Sequence, residues 1–427
     1  TMGFPAELYI QNSLGIFVKT NQELFENDKA YNDNNALFFD ADNDNDLDLY
    51  VASGNYSQEE GSVLLQDRLY INDGKGNFSK GKLPKMLSVT KAITASDIDN
   101  DGDQDLFVGG RIIPGKYPSA PTSYILENRK GNFINATFKR AKGIQSIGLV
   151  NDAKFSDYDS DGDNDLILAG EWMPITFFNN DKGVFTKVDL PTNTKTGWFQ
   201  TLKAIDYDAD GDDDYFVGNL GKNNKFQPTE KKPLHIYANN FDANNSYDIA
   251  LSKEYEGDLF PIRGKECSAQ QTPFLNEKIG TFSEFANSNI IDVYGKENIE
   301  NALHLEASSF SSYYIQNNGN GNFEFMALPN NAQFSPTLDF EFLDLNKDGL
   351  VEVLGVGNIY DSEVETIRYD ASQGYILTYK NNKIATYKDL ISISNKEVKA
   401  IESIFIKEKL HLLVMHANEG LSLLKLK

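Results

Sequence analysis

Nine-residue stretches crowded with carboxylates recur along the chain, and their spacing suits a hard divalent cation. Residues 40–48 carry Asp40, Asp42, Asp44, Asp46 and Asp48, and residues 97–105 carry Asp97, Asp99, Asp101, Asp103 and Asp105. Two further copies hold Asp157, Asp159, Asp161, Asp163 and Asp165, and Asp206, Asp208, Asp210, Asp212 and Asp214. Side chains at positions 1, 3 and 5, the carbonyl at 7 and the carboxylate at 9 together build a cage for an ion that takes about six to eight oxygens. Position 6 must turn sharply, which Gly tolerates best and Asn next. It is Gly102, Gly162 and Gly211, with Asn45 in the first copy. A looser copy has Asp344, Asn346, Asp348, Gly349, the carbonyl of Leu350, and Glu352. A sixth has Asn240, Asp242, Asn244, Asn245 in the turn slot, the carbonyl of Ser246, and Asp248. Solvated Asx-turns would use the same residues, but four or five carboxylates within nine positions repel strongly unless a cation neutralises them. The loops therefore imply Ca2+ in five to six structural sites, with an empty turn an equal alternative at 240.

The flanks decide what kind of loop this is. A helix–loop–helix calcium site needs a Glu at position 12, where the first copy has Val51. Short apolar runs follow instead, such as Leu47–Ala52, Leu106–Val108 and Leu166–Ala169, so each loop joins two strands of a β-hairpin. Around each hairpin the chain reads as a unit of four strands. Strand a precedes the loop, b follows it, c is of the type Leu69-Tyr70-Ile71-Asn72, and a Gly-Asn-Phe turn such as Gly131-Asn132-Phe133 leads into d. Strand a falls at 36–40, 92–97, 152–157, 202–206, 237–241, 338–344 and 399–406. Units repeated in this way are propeller blades, so the expected fold is an all-β, seven-bladed β-propeller in a single domain over residues 1–427. The N-terminal Leu8–Lys19 reads as completing the last blade; that leaves one strand too many, and eight blades are the alternative. Residues 263–305 lack strand alternation and read as a small helical insertion in the b–c connection of blade 5.

Composition narrows the function. The chain has 427 residues, 40% hydrophobic, and a formal charge of −23. The six loops alone hold more acids than that imbalance, so the acidity is a metal signature, and the lack of a basic face argues against nucleic acid. Cys267 is the only cysteine, which excludes an intrachain disulfide. His235, His304, His411 and His416 show no ligand spacing with one another, so neither a zinc site nor a histidine-based triad is expected. No apolar run approaches the length of a membrane span and no signal peptide precedes Gly3, which suggests a processed chain or a segment of a longer polypeptide. So many calcium sites fit an extracellular, cell-surface or periplasmic location, where calcium is plentiful.

With these loops in place the chain resembles the FG-GAP/VCBS-repeat β-propellers, whose loops have the form DxDxDGxxD between strands a and b, and more distantly the integrin alpha-subunit head. It is most similar to bacterial ASPIC/UnbV-associated VCBS-repeat proteins of Bacteroidota. The residues that carry this are Gly109-Gly110-Arg111 with Pro114–Pro118, Gly170-Glu171-Trp172-Met173-Pro174-Ile175, Gly218-Asn219-Leu220-Gly221 and Arg368–Ser372. The resemblance implies a secreted or surface-exposed protein and no established catalysis. Asn45, Asn245, Asn240 and Asn346 depart from the family's loop pattern, and the seventh loop is lost.

Blades place a–b and c–d loops on one face, which leaves the longest connections on the other. Arg111, Tyr117, Glu171, Trp172, Asn219, Tyr360 and Arg368 fall there and are the candidate ligand-binding residues. The expected function is a calcium-stabilised binding or interaction module that recognises a glycan or a protein on the face opposite the calcium loops. The alternatives are a structural component of a larger surface or outer-membrane assembly, and a carbohydrate-active enzyme.

Overall fold

The computed structural model describes residues 3–20, 22–190, 195–244, 246–319, 321–362, 366–380, 383–387 and 393–426. Antiparallel sheets dominate, with few and short helices, in a repeat β-propeller-like arrangement. The first sheet is the meander Asp33–Phe39, Asp48–Ser53, Arg68–Asn72 and Phe78–Lys80. The second is Val89–Ser96, Asp105–Ile112, Tyr124–Glu127 and Ile134–Asn135. The third is Leu149–Ser156, Asp165–Pro174, Thr176–Asp181 and Val184–Val188, with Thr196–Trp198 added along the far half of its second strand. In each, the acidic loop joins the first two strands, as the spacing predicts.

The second strand of each sheet carries the core. Asp48–Ser53 is buried at every position and so is Asp214–Gly218: the second lies between two neighbouring sheets, and the first between the second sheet and the short helix Glu23–Asn27, whose Phe25 packs on Leu49 and Val51. Their sequences are accordingly continuous apolar runs rather than alternating ones. Tyr50 and Leu69 of the first sheet pack on Leu106, Val108 and Leu126 of the second. Phe107 and Ile125 of the second pack on Ala153, Leu166 and Phe178 of the third. The sheets thus stack face to face in chain order, as blades do.

The fourth sheet departs from the expected assignment. It pairs Thr201–Ile205 and Asp214–Gly218 with Tyr313–Asn317 and Phe323–Ala327, in the register Val217↔Tyr313 and Tyr215↔Ile315. The strand expected at 237–241 as the start of a fifth blade belongs to an inserted sheet. In that sheet Leu234–Asn239 is flanked by Asp248–Tyr255 and Leu303–Ala307, with Asp258–Pro261 at the edge. The strand at 237–241 therefore does not open a blade in series with the others. The inserted segment, 219–312, leaves the fourth unit, not a fifth, and the helical stretch expected at 263–305 lies within it, between Lys265 and Glu300. Its five short helices, from Lys265–Gln271 to Lys296–Glu300, cover one face of the inserted sheet, where Tyr237 and Phe241 meet Leu275, Phe285 and Val293. The physical reason for the pairing is hydrogen bonding at the end of the third strand. Asp214 accepts from the Asn317 amide at 2.8 Å and from the Tyr314 hydroxyl. Asn239, the residue that ends Leu234–Asn239, donates its side-chain amide to Asn298 in the helical segment instead.

Two sheets follow: Thr337–Leu343, Glu352–Gly357, Tyr375–Tyr379 and Ile384–Thr386, then the three-stranded Val398–Ile406, Lys409–His416 and Gly420–Lys425. The N-terminal hairpin, Tyr9–Gln11 with Phe17–Lys19, pairs with itself instead of completing the last sheet. It bridges the last sheet and the first, through Gln11 to the Phe405 carbonyl; close by, Gln22 donates to the Gly76 carbonyl. One face of the last sheet packs on its predecessor through Ile401, Leu412 and Val414, while Met415, Leu421 and Leu423 on the other are exposed.

An asparagine at the end of the third strand ties neighbouring sheets together. Asn180, 1% exposed, donates to the Asn164 carbonyl in its own loop and to the Ile98 carbonyl in the preceding loop, and accepts from the Gly183 amide. Asn128 reaches Ala41 and Asn317 reaches Tyr158 in the same way. Asn180→Ala leaves several buried groups without partners and is expected to cost about 3 kcal/mol. Urea unfolding at saturating cation measures it, and a loss below about 0.5 kcal/mol would contradict the role of this residue.

Candidate metal centres

Local geometry fixes each loop before any cation is considered. The position-1 carboxylate accepts the backbone N–H groups of positions 5 and 6: Asp97 from Asp101 and Gly102, Asp157 from Asp161 and Gly162, Asp206 from Asp210 and Gly211. Position 6 has positive φ, 69° at Asn45 and 93° at Gly102, as the sequence predicts. Position 4 also adopts the left-handed conformation in all six loops, at Asn43, Asn100, Ser160, Ala209, Ala243 and Lys347. No single residue type marks that slot, so sequence reading misses it.

The position-9 carboxylate sits at the base of the cage. Asp48, Asp105, Asp165 and Asp214 are at most 1% exposed. Each accepts from the position-2 amide of its own loop and from the backbone amide of the third-strand asparagine. Burial outweighs these bonds and pushes Asp105 and Asp165 up to about 7 and Asp214 to about 6. Asp48, Asp248 and Glu352 move in the same direction for the same reason.

Four clusters bring carboxylate oxygens within 4.8 Å of one another: Asp40, Asp42 and Asp48; Asp97, Asp99 and Asp101; Asp157, Asp159 and Asp165; Asp206, Asp208 and Asp210. In all four, one oxygen of the position-3 carboxylate is buried without a hydrogen-bond partner, at Asp42, Asp99, Asp159 and Asp208. A buried, unpartnered carboxylate oxygen beside two other carboxylates is expensive unless a cation meets it. In three of them the second oxygen is held by a neighbour, Arg140 on Asp99, Asn179 on Asp159 and Gln316 on Asp208, so the free one has a fixed position. The residues present therefore fit a hard cation.

The two looser loops satisfy themselves. Asp242 accepts from Asn244 through both oxygens, and Asp248 from the Ser246 hydroxyl. Asn245 lies outside the described residues. In the other loop Asn346 donates to Glu352 and accepts from the Asp348 amide. Among the position-7 side chains, Asp46 has one buried oxygen without a hydrogen-bond partner, near Asp44 and Asp42. Asp103, Asp163 and Asp212 instead accept from Asn43, Asn100 and Ser160 of the preceding loop, which places the first four loops side by side. Asp46 stands first in that series, and Leu350 leaves its side chain exposed.

Of the candidate ligand residues, four meet. Arg111 pairs with Glu171 at 2.6 Å, Tyr117 donates to the same carboxylate, and the Trp172 indole donates to Tyr117. Trp172 is 4% exposed and packs edge-on against Trp198 at 5.2 Å. Its φ of 59° turns the ring inward at a bulge. The cavity beside it, lined by Tyr117, Trp172, Trp198, Phe226 and Tyr369, measures about 210 Å³, below the usual range of ligand pockets. Asn219 is fully buried and holds the Ser309 and Ser311 carbonyls. Tyr360 and Arg368 lie apart from these, the guanidinium 3.8 Å over the ring, with Arg368 half exposed and 3.6 Å from Asp370.

The fold and loops define a repeat β-protein with acid-lined hairpins. Residues 40–108 and 157–217 match the model of the FG-GAP-like repeat family, so the chain carries FG-GAP-like repeats there. No curated protein matches it. Among solved structures it is similar to the Vibrio cholerae biofilm matrix protein Bap1, at 9% identity and a TM-score of 0.35, over 92% of this chain and 76% of that one. It is also similar to BBS1N from a complex with ARL6DN, at 10% identity and a TM-score of 0.34, over 93% of this chain and 97% of that one.

The raised carboxylates set a pH dependence. Without a cation the native chain holds protons on Asp105, Asp165 and Asp214 at pH values where the unfolded chain, with ordinary carboxylates near about 4, does not. Metal-free stability is thus fullest below about pH 4 as far as these groups are concerned, and falls as pH rises to about 7. Asp67, buried and raised to about 7, adds to the same slope but touches no loop. A divalent cation displaces the protons, so its stabilising effect should be large at pH 8 and shrink at pH 5. Thermal melts at both values, with and without chelator, measure this; a cation effect equal at the two would contradict it.

Proposed function

We propose that the chain is a calcium-stabilised extracellular β-propeller acting as a binding or interaction module. The observation that carries the first half is the buried, unpartnered position-3 oxygen repeated in four loops. All-oxygen donor sets of this kind select Ca2+ over softer ions. The ions are structural: each holds an a–b hairpin whose carboxylates would otherwise repel. An extracellular location is supported by the calcium requirement, and no helix among the described residues is long and apolar enough to cross a membrane.

Recognition rests on the connections away from the acidic loops. Trp172, Asn219 and Arg111 are occupied by internal contacts, which leaves the stacked Tyr360–Arg368 pair as the accessible candidate for a glycan or a protein side chain. A structural role in a larger surface assembly is the second reading. The outward apolar face of the last sheet, with Met415, Leu421 and Leu423, is the kind of face the other sheets bury.

Calorimetric titration of the chelator-treated chain should find at least four Ca2+ sites. Saturation to about a hundred times the dissociation constant should add about 2.7 kcal/mol per site, read as a higher melting temperature. Melting curves identical in calcium and in chelator would sink the calcium reading. A glycan array probed with the calcium-loaded chain tests recognition: signal lost on Tyr360→Ala with Arg368→Ala supports it, and signal that survives the double substitution moves the site elsewhere.

A further inference from the structure

The inserted sheet brings together two histidines that lie 69 positions apart in the chain. His235 is on Leu234–Asn239, and His304 and Glu306 are on Leu303–Ala307. The register sets His235 directly opposite Glu306 and Tyr237 directly opposite His304, so all four side chains project from one face of the sheet. His235 Nδ1 is 3.0 Å from His304 Nε2 and 3.2 Å from Glu306 Oε1, and His304 Nε2 is 3.6 Å from that same oxygen.

A tetrahedral Zn2+ with ligand bonds of about 2.0–2.2 Å separates its ligand atoms by about 3.3 Å. The three distances straddle that value. We propose that His235 Nδ1, His304 Nε2 and Glu306 Oε1 form a transition-metal site of the Zn2+ class, distinct from the acidic loops.

Several features equip the site. The His304 ring lies flat against Tyr237, with centroids 4.2 Å apart and planes 5° from parallel, so its orientation is held before an ion arrives. His235 is nearly buried, whereas the side chains of His304 and Glu306 are 37% and 46% exposed, which gives the ion a route in. Ser252 stands directly opposite His235 on its other side and shares the face; its hydroxyl is fully buried and has no partner. A water on the fourth vertex of the metal is a natural partner for such a group. The donor set also separates this site from the loops: two imidazoles and one carboxylate favour Zn2+ and its neighbours, whereas the all-oxygen loops favour Ca2+.

The consequence is mechanical. Leu303–Ala307 is the strand by which the chain returns from the five helices, and it lies against Leu234–Asn239 at the edge of the inserted sheet. An ion bound to both strands fastens that return.

The test uses the full chain in excess Ca2+, so that the acidic loops are filled, titrated with Co2+ as a spectroscopic stand-in for Zn2+. One equivalent should develop the visible bands of four- or five-coordinate Co2+, and Zn2+ should abolish them. His304→Ala, at a half-exposed position that circular dichroism can confirm as folded, should remove the bands. Glu306→Gln should weaken binding about tenfold or more. His411→Ala, a histidine on the last sheet away from the site, should leave the spectrum unchanged. A spectrum of hydrated Co2+ alone in the unsubstituted chain would overturn the proposal and leave a hydrogen-bonded cluster only. Bands that persist in both His304→Ala and Glu306→Gln would also overturn it.

Discussion

The hydrogen bonds of the ninth-position carboxylate hold each unit together. It is the first residue of a buried strand, so it cannot reach water, and it answers to two parts of the chain at once. One oxygen takes the amide that opens its own loop and the other takes the amide of the asparagine that closes the third strand, as at Asp165 with Tyr158 and Asn180. Loop shape and strand order are thereby joined at one side chain. The cost is a carboxylate in a poorly solvated place, which favours its neutral form. A cation beside it reverses that preference, and this couples metal to the pairing of the strands.

From this centre the links spread sideways. The third-strand asparagine reaches the loop of the sheet before it, and the fourth loop residue reaches the seventh residue of the loop after it. The two series run through the first four sheets and then stop. Ala209 has no side chain to offer, Leu350 has none to accept with, and Tyr379 stands at the asparagine position, two residues past the partner of Val353. The later sheets meet their neighbours through apolar packing, as between Leu354 or Ile376 and Ile401 or Leu412, and through polar contacts of another kind, Asp339 accepting from the Ile401 amide and pairing with Lys203. The chain thus has one half in which the polar links repeat from sheet to sheet and another in which they do not.

The loops were legible in the sequence because all their ligands lie within nine residues and the turn demands glycine or asparagine at one slot. The hairpin around each loop was legible too, from the apolar run that follows. Strand partnership in the fourth unit was not, because Leu234–Asn239 and Tyr313–Asn317 are both short, largely apolar strands that end in asparagine. A signal was nonetheless present. Asn72, Asn128, Asn180 and Asn317 are each followed within a few residues by Gly-Asn-Phe or Gly-Val-Phe, and Asn239 is not. The aromatic candidates misled in a different way. Trp172 lies in a connection that reads as exposed, but a left-handed residue at a bulge turns it into the core. The histidine pair could not be seen at all, since only the register of two strands separated by the whole helical segment brings it together.

The placement of the insertion sets the sequence separation that the fourth sheet must close. The fourth sheet cannot join Val217 to Tyr313 until the intervening stretch has brought its two ends near each other. For a disordered stretch of that length the closure entropy is considerable, and pairing across it is slow. The insertion has an apolar cluster of its own, built by its helices on its sheet, so it can condense locally first. Once it has, Ser308 and Ser309 dock on the Thr196 carbonyl at the rim of the third sheet, and the third strand of the fourth sheet begins a few residues later. The excursion thereby serves as an internal template: it converts a contact between distant parts of the chain into one between near neighbours.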